Sequence, residues 1–362
     1  MKKQLKIILS LAAFFLFINA LSAQKKGEYK LIDVPSPSLK NCLIDAKESQ
    51  KVAIYLPPSY NDSKKSYPVV YFLTGYTVHP GQYPPTGWID SIMSNHLVQE
   101  MIYVEISGFN RFQGTMYANS PITGNWEDFV TKDVVSFIDK NYRTLAKRES
   151  RGIAGHSMGG AGCFNISLKH ADLYSVAYAM SPAISSQDSL MISMFNDGRA
   201  MKELESLSKK MADVPVDKFA EKLSNEIMVY SGELDWILAY GYAFAPDMSQ
   251  PLKMKLPFET LKDGKLQKND KIWKLWEKGL GSIDEKVKMY KDNLLKYRHF
   301  SVDAGYDDIR WIYTSTIYLS EVLTDNRIPF SMHLFDGDHV NRVGEQMANR
   351  VMPIMSTYLL KE

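Results

Sequence analysis

The chain has 362 residues, of which 45% are hydrophobic and 23% are charged, and this composition excludes a wholly disordered, collagen-like or coiled-coil protein. Its 43 Lys and Arg residues nearly balance 41 Asp and Glu residues, which disfavours nucleic-acid binding. With only two cysteines, Cys42 and Cys163, the chain is neither a disulfide scaffold nor a multi-cysteine metal protein.

Residues 1–23 have the pattern of a secretory signal peptide. Lysines near the start precede the apolar run 7–18, and small residues follow up to Ala23. The apolar run is shorter than the roughly 20 residues that a membrane span needs. We therefore expect cleavage near Ala23 and a soluble protein exported to the periplasm or the cell exterior. Export permits a Cys42–Cys163 disulfide, but we expect Cys163 to be a buried free thiol.

The rest of the chain alternates strand-like and helix-like segments. Helical spacing is clearest in residues 126–141, 158–170 and 311–323. β-branched and aromatic runs predict strands at residues 52–56, 68–73, 102–106, 152–154, 175–180, 300–303 and 330–335. This order predicts an α/β fold with a mostly parallel central sheet and helices on both faces. Ligands are then expected at the carboxyl ends of the strands.

One long stretch, about 185–298, interrupts this alternation and is mainly helix-like. Trp273 and Trp276 are three residues apart and therefore share a face of one predicted helix. Two interpretations stay open: a cap over a ligand pocket, or an ordinary insertion that packs these tryptophans on the main domain. Either way, we interpret residues 24–362 as one domain with a large insertion.

The sequence GHSMG at residues 155–159 is a G-x-S-x-G motif between a short apolar strand and a helix. This context predicts a nucleophile elbow, a sharp turn that needs small residues and exposes the serine at the top of the sheet. The helix N-terminus there favours an anionic intermediate. We therefore predict that Ser157 is a nucleophile, against the alternative of a helix-capping serine.

A serine nucleophile needs a base to take its proton, and a nucleophile elbow predicts the chain order serine, acid, histidine. Of the seven histidines, His339 alone follows the last predicted strand, in a polar loop from which its ring can reach Ser157. We therefore predict His339 as the base. His156 lies inside the elbow, and its side chain is expected to point away from the attacking face.

The acid is expected after the penultimate strand. Asp308 precedes His339 by one predicted helix and one predicted strand, and Asp307 is the immediate alternative. Asp235 is a second candidate, although the insertion would then separate it from the histidine. The chain order favours Asp308.

The oxyanion hole of such an elbow combines two backbone N–H groups. One comes from the residue after the nucleophile, here Met158. The other comes from the loop after strand 68–73, where we predict the N–H of Tyr76 or of Gly75.

Several segments together resemble the esterase family of α/β-hydrolases that contains esterase D-like, enterochelin esterase-like and feruloyl esterase-like enzymes. They extend from about residue 50 to the end of the chain, at residues 56–60 (LPPSY), 67–75, 114–126 (GTMYANSPITGNW), 142–144 (YRT), 155–160 (GHSMGG) and 335–339 (FDGDH). The resemblance implies the α/β-hydrolase fold and a Ser-Asp-His carboxylic ester hydrolase without metal or cofactor. Residues 303–308 (DAGYDD) look like the acid turn of this family, which supports Asp308. Thr74 stands where the family often has histidine.

These predictions describe an exported serine esterase with an acyl-enzyme on Ser157, in which Asp308 orients His339. The expected partner is a small-molecule or glycan-linked ester, with acylated carbohydrate as one candidate, and neither nucleic acid nor, after signal cleavage, a membrane. Three alternatives stay open: an acyltransferase that uses the same triad, a peptidase that uses it on amides, and a non-catalytic binding module of hydrolase fold.

Overall fold

The computed structural model describes residues 26–186, 189–195, 198–228 and 233–361. The predicted signal segment, 1–23, lies outside these ranges. Among the helices within them, none combines the length and apolar character that crossing a membrane requires.

An eight-stranded sheet forms the centre of the fold. In spatial order its strands are β1 (Glu28–Pro35), β2 (Ser49–Leu56), β4 (Ile102–Ile106), β3 (Val69–Leu73), β7 (Arg151–His156), β8 (Val176–Met180), β11 (His299–Gly305) and β12 (Ser331–Phe335). β1, β2 and β4 pair antiparallel, and every pair from β4 to β12 is parallel. Two short hairpins lie outside this sheet: β5 (Asn119–Ser120) with β6 (Gly124–Asn125), and β9 (Phe258–Thr260) with β10 (Leu266–Lys268).

The central strands form where the chain can bury side chains on both faces. Every residue of β3, β4 and β7 is buried, as expected for parallel strands covered on both sides. All seven predicted strands coincide with strands of this sheet, so the predicted α/β architecture is confirmed. Strand β1 was not predicted. It lies at the edge of the sheet, seven of its eight residues are exposed or partly exposed, and it therefore lacks a continuous apolar run.

Helices surround the sheet, and half of those in the described ranges are the next helix after a strand. They are α1 (Thr86–Ser94), α2 (Trp126–Asp128), α3 (Val135–Asn141), α4 (Met158–Lys169), α5 (Ser189–Phe195), α6 (Arg199–Met211), α7 (Phe219–Ile227), α8 (Glu233–Phe244), α9 (Asp270–Leu280), α10 (Ile283–Met289), α11 (Lys291–Leu294), α12 (Arg310–Asp325), α13 (Val343–Gln346) and α14 (Met352–Tyr358). π-helical turns, Phe129–Val134 and Met347–Val351, continue α2 into α3 and α13 into α14. Single 3-10 turns are Pro37–Leu39, Tyr60–Asp62, Arg148–Ser150 and Val216–Lys218.

Two buried apolar clusters cover the two faces of the sheet. Strand β3 contributes to both, because its side chains alternate between the faces. Tyr71 and Leu73 belong to the larger cluster, which includes α4 and the insertion, whereas Val70 and Phe72 belong to the smaller one. The smaller cluster is completed by side chains of α1 and of the C-terminal helices.

The insertion leaves the sheet after β8 and returns to it at β11, and its described part contains α5 to α11 and the β9–β10 hairpin. Trp273 and Trp276 are both buried on the inner side of α9. Their aromatic neighbours, Phe195 and Tyr240, come from other helices of the insertion. The tryptophans therefore help to form the core of the insertion and not a ligand-facing surface.

Candidate active site

Ser157 lies in a strained turn between β7 and α4. Its φ of 58° and ψ of −118° are unusual for a residue with a side chain, and such strain persists only where the surroundings hold it. The Ser157 N–H donates to the Met180 carbonyl at 3.0 Å. The Ser157 carbonyl accepts hydrogen bonds from the N–H groups of Ala161 at 2.9 Å and Ala183 at 3.0 Å. These bonds fix the turn in the geometry of a nucleophile elbow.

Close packing explains the two glycines of the motif. A Cβ on Gly155 would overlap the backbone of Gly159, and a Cβ on Gly159 would overlap the Leu73 carbonyl in the neighbouring strand β3. Helix α4 can therefore begin directly above the sheet only because both residues lack a side chain.

The structure brings Ser157, His339 and Asp308 into one chain of hydrogen bonds. The Ser157 hydroxyl lies 2.8 Å from Nε2 of His339, and Nδ1 of His339 lies 2.7 Å from Oδ1 of Asp308. The carboxylate can only accept, so Nδ1 carries the proton and Nε2 presents a lone pair to the hydroxyl. The side chain of Asp308 is fully buried, which keeps competing water away from this contact.

Asp308 is oriented by its own turn. Its N–H donates to the Gly305 carbonyl at 3.2 Å, and Oδ1 also accepts the N–H of Ile309 at 2.6 Å. Asp307, the neighbouring alternative, is exposed. Its N–H instead donates, at 3.0 Å, to the Gly337 carbonyl in the loop that carries His339 (residues 336–339, which we call the histidine loop).

Asp235 is not brought to His339. It lies in α8, beside the loop that follows β3 (residues 74–76, which we call the oxyanion loop). The ring of the next residue, Trp236, meets the Tyr76 ring edge-on, with 4.8 Å between their centroids. Burial raises the pKa of the Tyr76 phenol, and the charge of Asp235 adds to that effect. Of the three candidate acids, Asp308 alone contacts the histidine. Residues 229–232, which precede this helix, lie outside the described ranges.

The prediction that the side chain of His156 points away from the site is wrong, because this side chain contacts the loop that carries His339. Its Nε2–H donates to the His339 carbonyl at 2.7 Å, and the two rings lie 4.9 Å apart. Burial, helped by the nearby His339, lowers the pKa of His156 to about 4. His156 is therefore neutral at pH 7, and it holds the histidine loop in place through its hydrogen bond to the His339 carbonyl.

The predicted oxyanion groups lie beside the nucleophile. A Cβ on Gly75 would lie 3.5 Å from Cβ of Ser157, so this loop passes directly next to the serine. The Met158 N–H is the first of α4, where a helix provides no acceptor. Within the described ranges, neither this N–H nor that of Tyr76 donates to a protein group. Their oxyanion role stays a prediction.

Tyr117 holds the oxyanion loop and was not predicted as a site residue. Its buried hydroxyl lies 3.0 Å from the Thr74 carbonyl and 2.9 Å from the Ile106 carbonyl, and it accepts the Gly108 N–H at 3.0 Å. The phenol thus joins the ends of β3 and β4. The sequence signal was the tyrosine within the family-like segment 114–126.

A buried acid lies behind the triad. Asp303, near the end of β11, is 1% exposed, and its Oδ1 accepts the Ser181 N–H at 2.9 Å. In the described structure its second oxygen has no hydrogen-bond partner at the usual distance, although the Tyr178 phenol lies near enough to interact with the carboxyl. Burial raises the pKa of Asp303 to about 7, and the nearby Asp308 adds to the increase.

A cavity of about 600 Å³ opens beside Ser157 and His339. Most of its lining side chains are aromatic or aliphatic, and they come from the ends of β3 and β4, the start of α1 and the region after His339. None of the described residues of the insertion 185–298 lines it. We call this space the site cavity.

The described residues contain no group of three or more His, Cys, Asp and Glu side chains placed to hold a metal ion. Both cysteines are free, and Cys163 is buried as expected while Cys42 is half-buried.

The sheet order, with its elbow after β7, defines an α/β-hydrolase fold. Solved structures with this fold include a ferulic acid esterase, with a TM-score of 0.57, 18% identity and coverage of 92% of this chain and 99% of that chain. Another is an S-formylglutathione hydrolase from Agrobacterium tumefaciens, with a TM-score of 0.55 and 14% identity. The match covers 94% of this chain and 98% of that chain. At these identities the likeness shows the fold alone.

A family model described as "Putative esterase" matches residues 45–235, slightly more than half of the chain, and the chain belongs to this family. The S-formylglutathione hydrolase of Arabidopsis thaliana is 26% identical over 171 residues, which cover 43% of this chain and 60% of that protein. An esterase of Mycobacterium tuberculosis is 26% identical over 197 residues, which cover 50% and 42%. The chain thus spans about half the length of the curated relatives it matches.

Proposed function

We propose that this protein is a serine carboxylic ester hydrolase that forms an acyl-enzyme on Ser157. The observation that carries the proposal is the hydrogen-bonded chain from Ser157 through His339 to the buried Asp308. Membership of the esterase family supports it.

In the proposed mechanism, Ser157 attacks the ester carbonyl while its proton moves to Nε2 of His339. Asp308 keeps Nδ1 protonated and stabilises the imidazolium that forms. The N–H groups of Met158 and Tyr76 stabilise the oxyanion, and one such donor contributes about 3–4 kcal/mol to transition-state stabilisation. His339 then protonates the leaving alcohol and activates the water that releases the acid.

The test is the substitution Ser157→Ala, assayed with 4-nitrophenyl acetate and with a fluorophosphonate probe. We expect kcat to fall by about 10⁴-fold or more and covalent labelling to disappear. Ser249→Ala removes an exposed serine of the insertion and is the control, with wild-type turnover and labelling. Wild-type turnover by the Ser157→Ala variant would refute the proposal.

We further propose that the protein is exported and acts on a small-molecule or glycan-linked ester. Export is supported by the signal-like pattern of residues 1–23. A small-molecule ester is supported by membership of the esterase family and by the volume of the site cavity, about 600 Å³. Mass spectrometry of the N-terminus after expression in a host that secretes proteins tests cleavage near Ala23. A screen of acetyl, feruloyl and longer-chain esters tests the substrate class.

A further inference from the structure

A carboxyl group is buried in the wall of the site cavity and has no role in the proposed mechanism. Glu105, in β4, lines the same cavity as Ser157 and His339. The residue is only 3% exposed. A carboxylate removed from water is unfavourable unless it is paired, so the ionised form of Glu105 would be stabilised by a cationic partner.

The protein provides a hydrogen-bond donor for only one of the two oxygens of the Glu105 carboxyl. Oε1 accepts the Gly81 N–H at 3.1 Å. Within the described ranges, Oε2 accepts no hydrogen bond and no Lys, Arg or His forms an ion pair with Glu105. Burial raises the pKa of Glu105 to about 7. Its titratable neighbours are phenols: Tyr29 from β1, Tyr103 from its own strand and Tyr117.

Aromatic rings surround the cavity wall around Glu105. Phe72 is its register partner on β3. The Tyr103 ring lies 5.8 Å from that of Phe72 and meets the Trp88 ring edge-on at 6.2 Å. Phe72, Tyr103 and Trp88 all line the site cavity, whereas no Lys or Arg of the described residues does. Ring faces and a carboxylate both attract an organic cation, whereas a neutral hydroxyl would leave the buried negative charge uncompensated.

We propose that Glu105 determines substrate specificity by receiving a positively charged ammonium group of the ester, while Ser157 attacks the ester carbonyl in the same cavity. This inference rests on the proposed hydrolase function of Ser157. A volume of about 600 Å³ falls in the range typical of small-molecule sites, so one ligand can occupy both ends.

Matched pairs of esters that differ only in charge test the specificity. Acetylcholine and 3,3-dimethylbutyl acetate place the difference in the alcohol. The 4-nitrophenyl esters of 4-(trimethylammonio)butanoic acid and 5,5-dimethylhexanoic acid place it in the acyl group. At about pH 8, above the pKa of Glu105, we expect at least one cationic ester to exceed its neutral partner by about tenfold or more in kcat/KM, because only the cation is attracted by both the ring faces and the carboxylate.

The substitution Glu105→Gln keeps an acceptor for the Gly81 N–H, and we expect it to abolish this preference. Glu105→Asp, which retains the charge, should restore part of it. Asp235→Asn removes a carboxylate near Tyr76 that does not line the site cavity, so the preference should persist in this control. Circular dichroism confirms that each variant is folded.

Binding gives a second measurement that does not need catalysis. Calorimetry on Ser157→Ala should detect choline, and the additional substitution Glu105→Gln should weaken that binding at least tenfold. Hydrolysis of neutral esters without cation preference or choline binding would overturn the inference and leave the hydrolase proposal intact. Choline binding that requires Glu105, without hydrolysis of any ester, would support the cation site and refute the hydrolase.

Discussion

The buried acid behind the triad makes the stability of this protein depend on pH. The pKa of Asp303, about 7 in the folded state, lies roughly three pH units above its ordinary value of 3.8. At about 1.36 kcal/mol per pH unit, this difference corresponds to about 4 kcal/mol. Above about pH 4 the unfolded chain ionises this group, whereas the folded protein keeps its proton up to about pH 7. The contribution of Asp303 to the free energy of unfolding therefore decreases as the pH rises through this window, whereas that of His156, with a folded-state pKa of about 4, increases.

Asp303→Asn tests this reasoning because it keeps an oxygen for the Ser181 N–H but removes the ionisation. Relative to wild type, we expect the variant to gain about 3–4 kcal/mol of unfolding free energy between about pH 4.5 and pH 8. Urea denaturation followed by tryptophan fluorescence at both pH values measures it, and Glu105, present in both proteins, cancels in the difference. Asp307→Asn controls for the loss of an exposed carboxylate in the same segment. An equal difference between Asp303→Asn and wild type at both pH values would refute a neutral Asp303.

Three further substitutions test the site. Asp308→Asn should lower kcat by about 10⁴-fold because the neutral amide no longer stabilises the imidazolium and can donate to Nδ1, which favours the wrong tautomer of His339. Asp307→Asn should stay within a few-fold of wild type, and steady-state kinetics that rank the two variants in reverse would move the acid role. Tyr117→Phe leaves the Gly108 N–H without its acceptor and frees the oxyanion loop. Because that loop acts on the transition state, kcat should fall by about tenfold with KM nearly unchanged, and a change in KM alone would contradict the positioning role. Gly159→Ala should destabilise the fold by about 3 kcal/mol or more, measured as a lower Tm, because the Leu73 carbonyl belongs to a central strand and cannot move aside; an unchanged Tm would contradict that packing.

The sequence predicts the central strands well because burial on both faces forces them to be apolar, as in VVYFL of β3. It also predicts the order of Ser157, Asp308 and His339, since the elbow motif and the strand pattern constrain where each can lie. Edge strand β1 escapes prediction because only part of it is buried.

The supporting side chains could not be predicted in the same way. Tyr117 contacts β3 and β4, and His156 contacts a loop 183 residues away, and neither contact leaves a periodic pattern in the chain. Glu105 did leave a signal: it is the single charged residue in the otherwise apolar strand IYVEI. A charge that interrupts a doubly buried strand is a useful indication of a ligand site.

The acid turn and the histidine loop are joined through their backbones. The Tyr306 N–H donates to the Phe335 carbonyl at 2.9 Å, and the Asp307 N–H donates to the Gly337 carbonyl at 3.0 Å. His339 and Asp308 are therefore carried by one backbone-linked unit at the ends of β11 and β12, whereas Ser157 is carried by β7 and α4, and the hydrogen bond from His156 to the His339 carbonyl links the two units. A motion between these two units would lengthen the contact between the serine and the histidine while leaving the histidine–aspartate pair intact. Such a motion would change how readily the hydroxyl loses its proton without changing which ring nitrogen faces it.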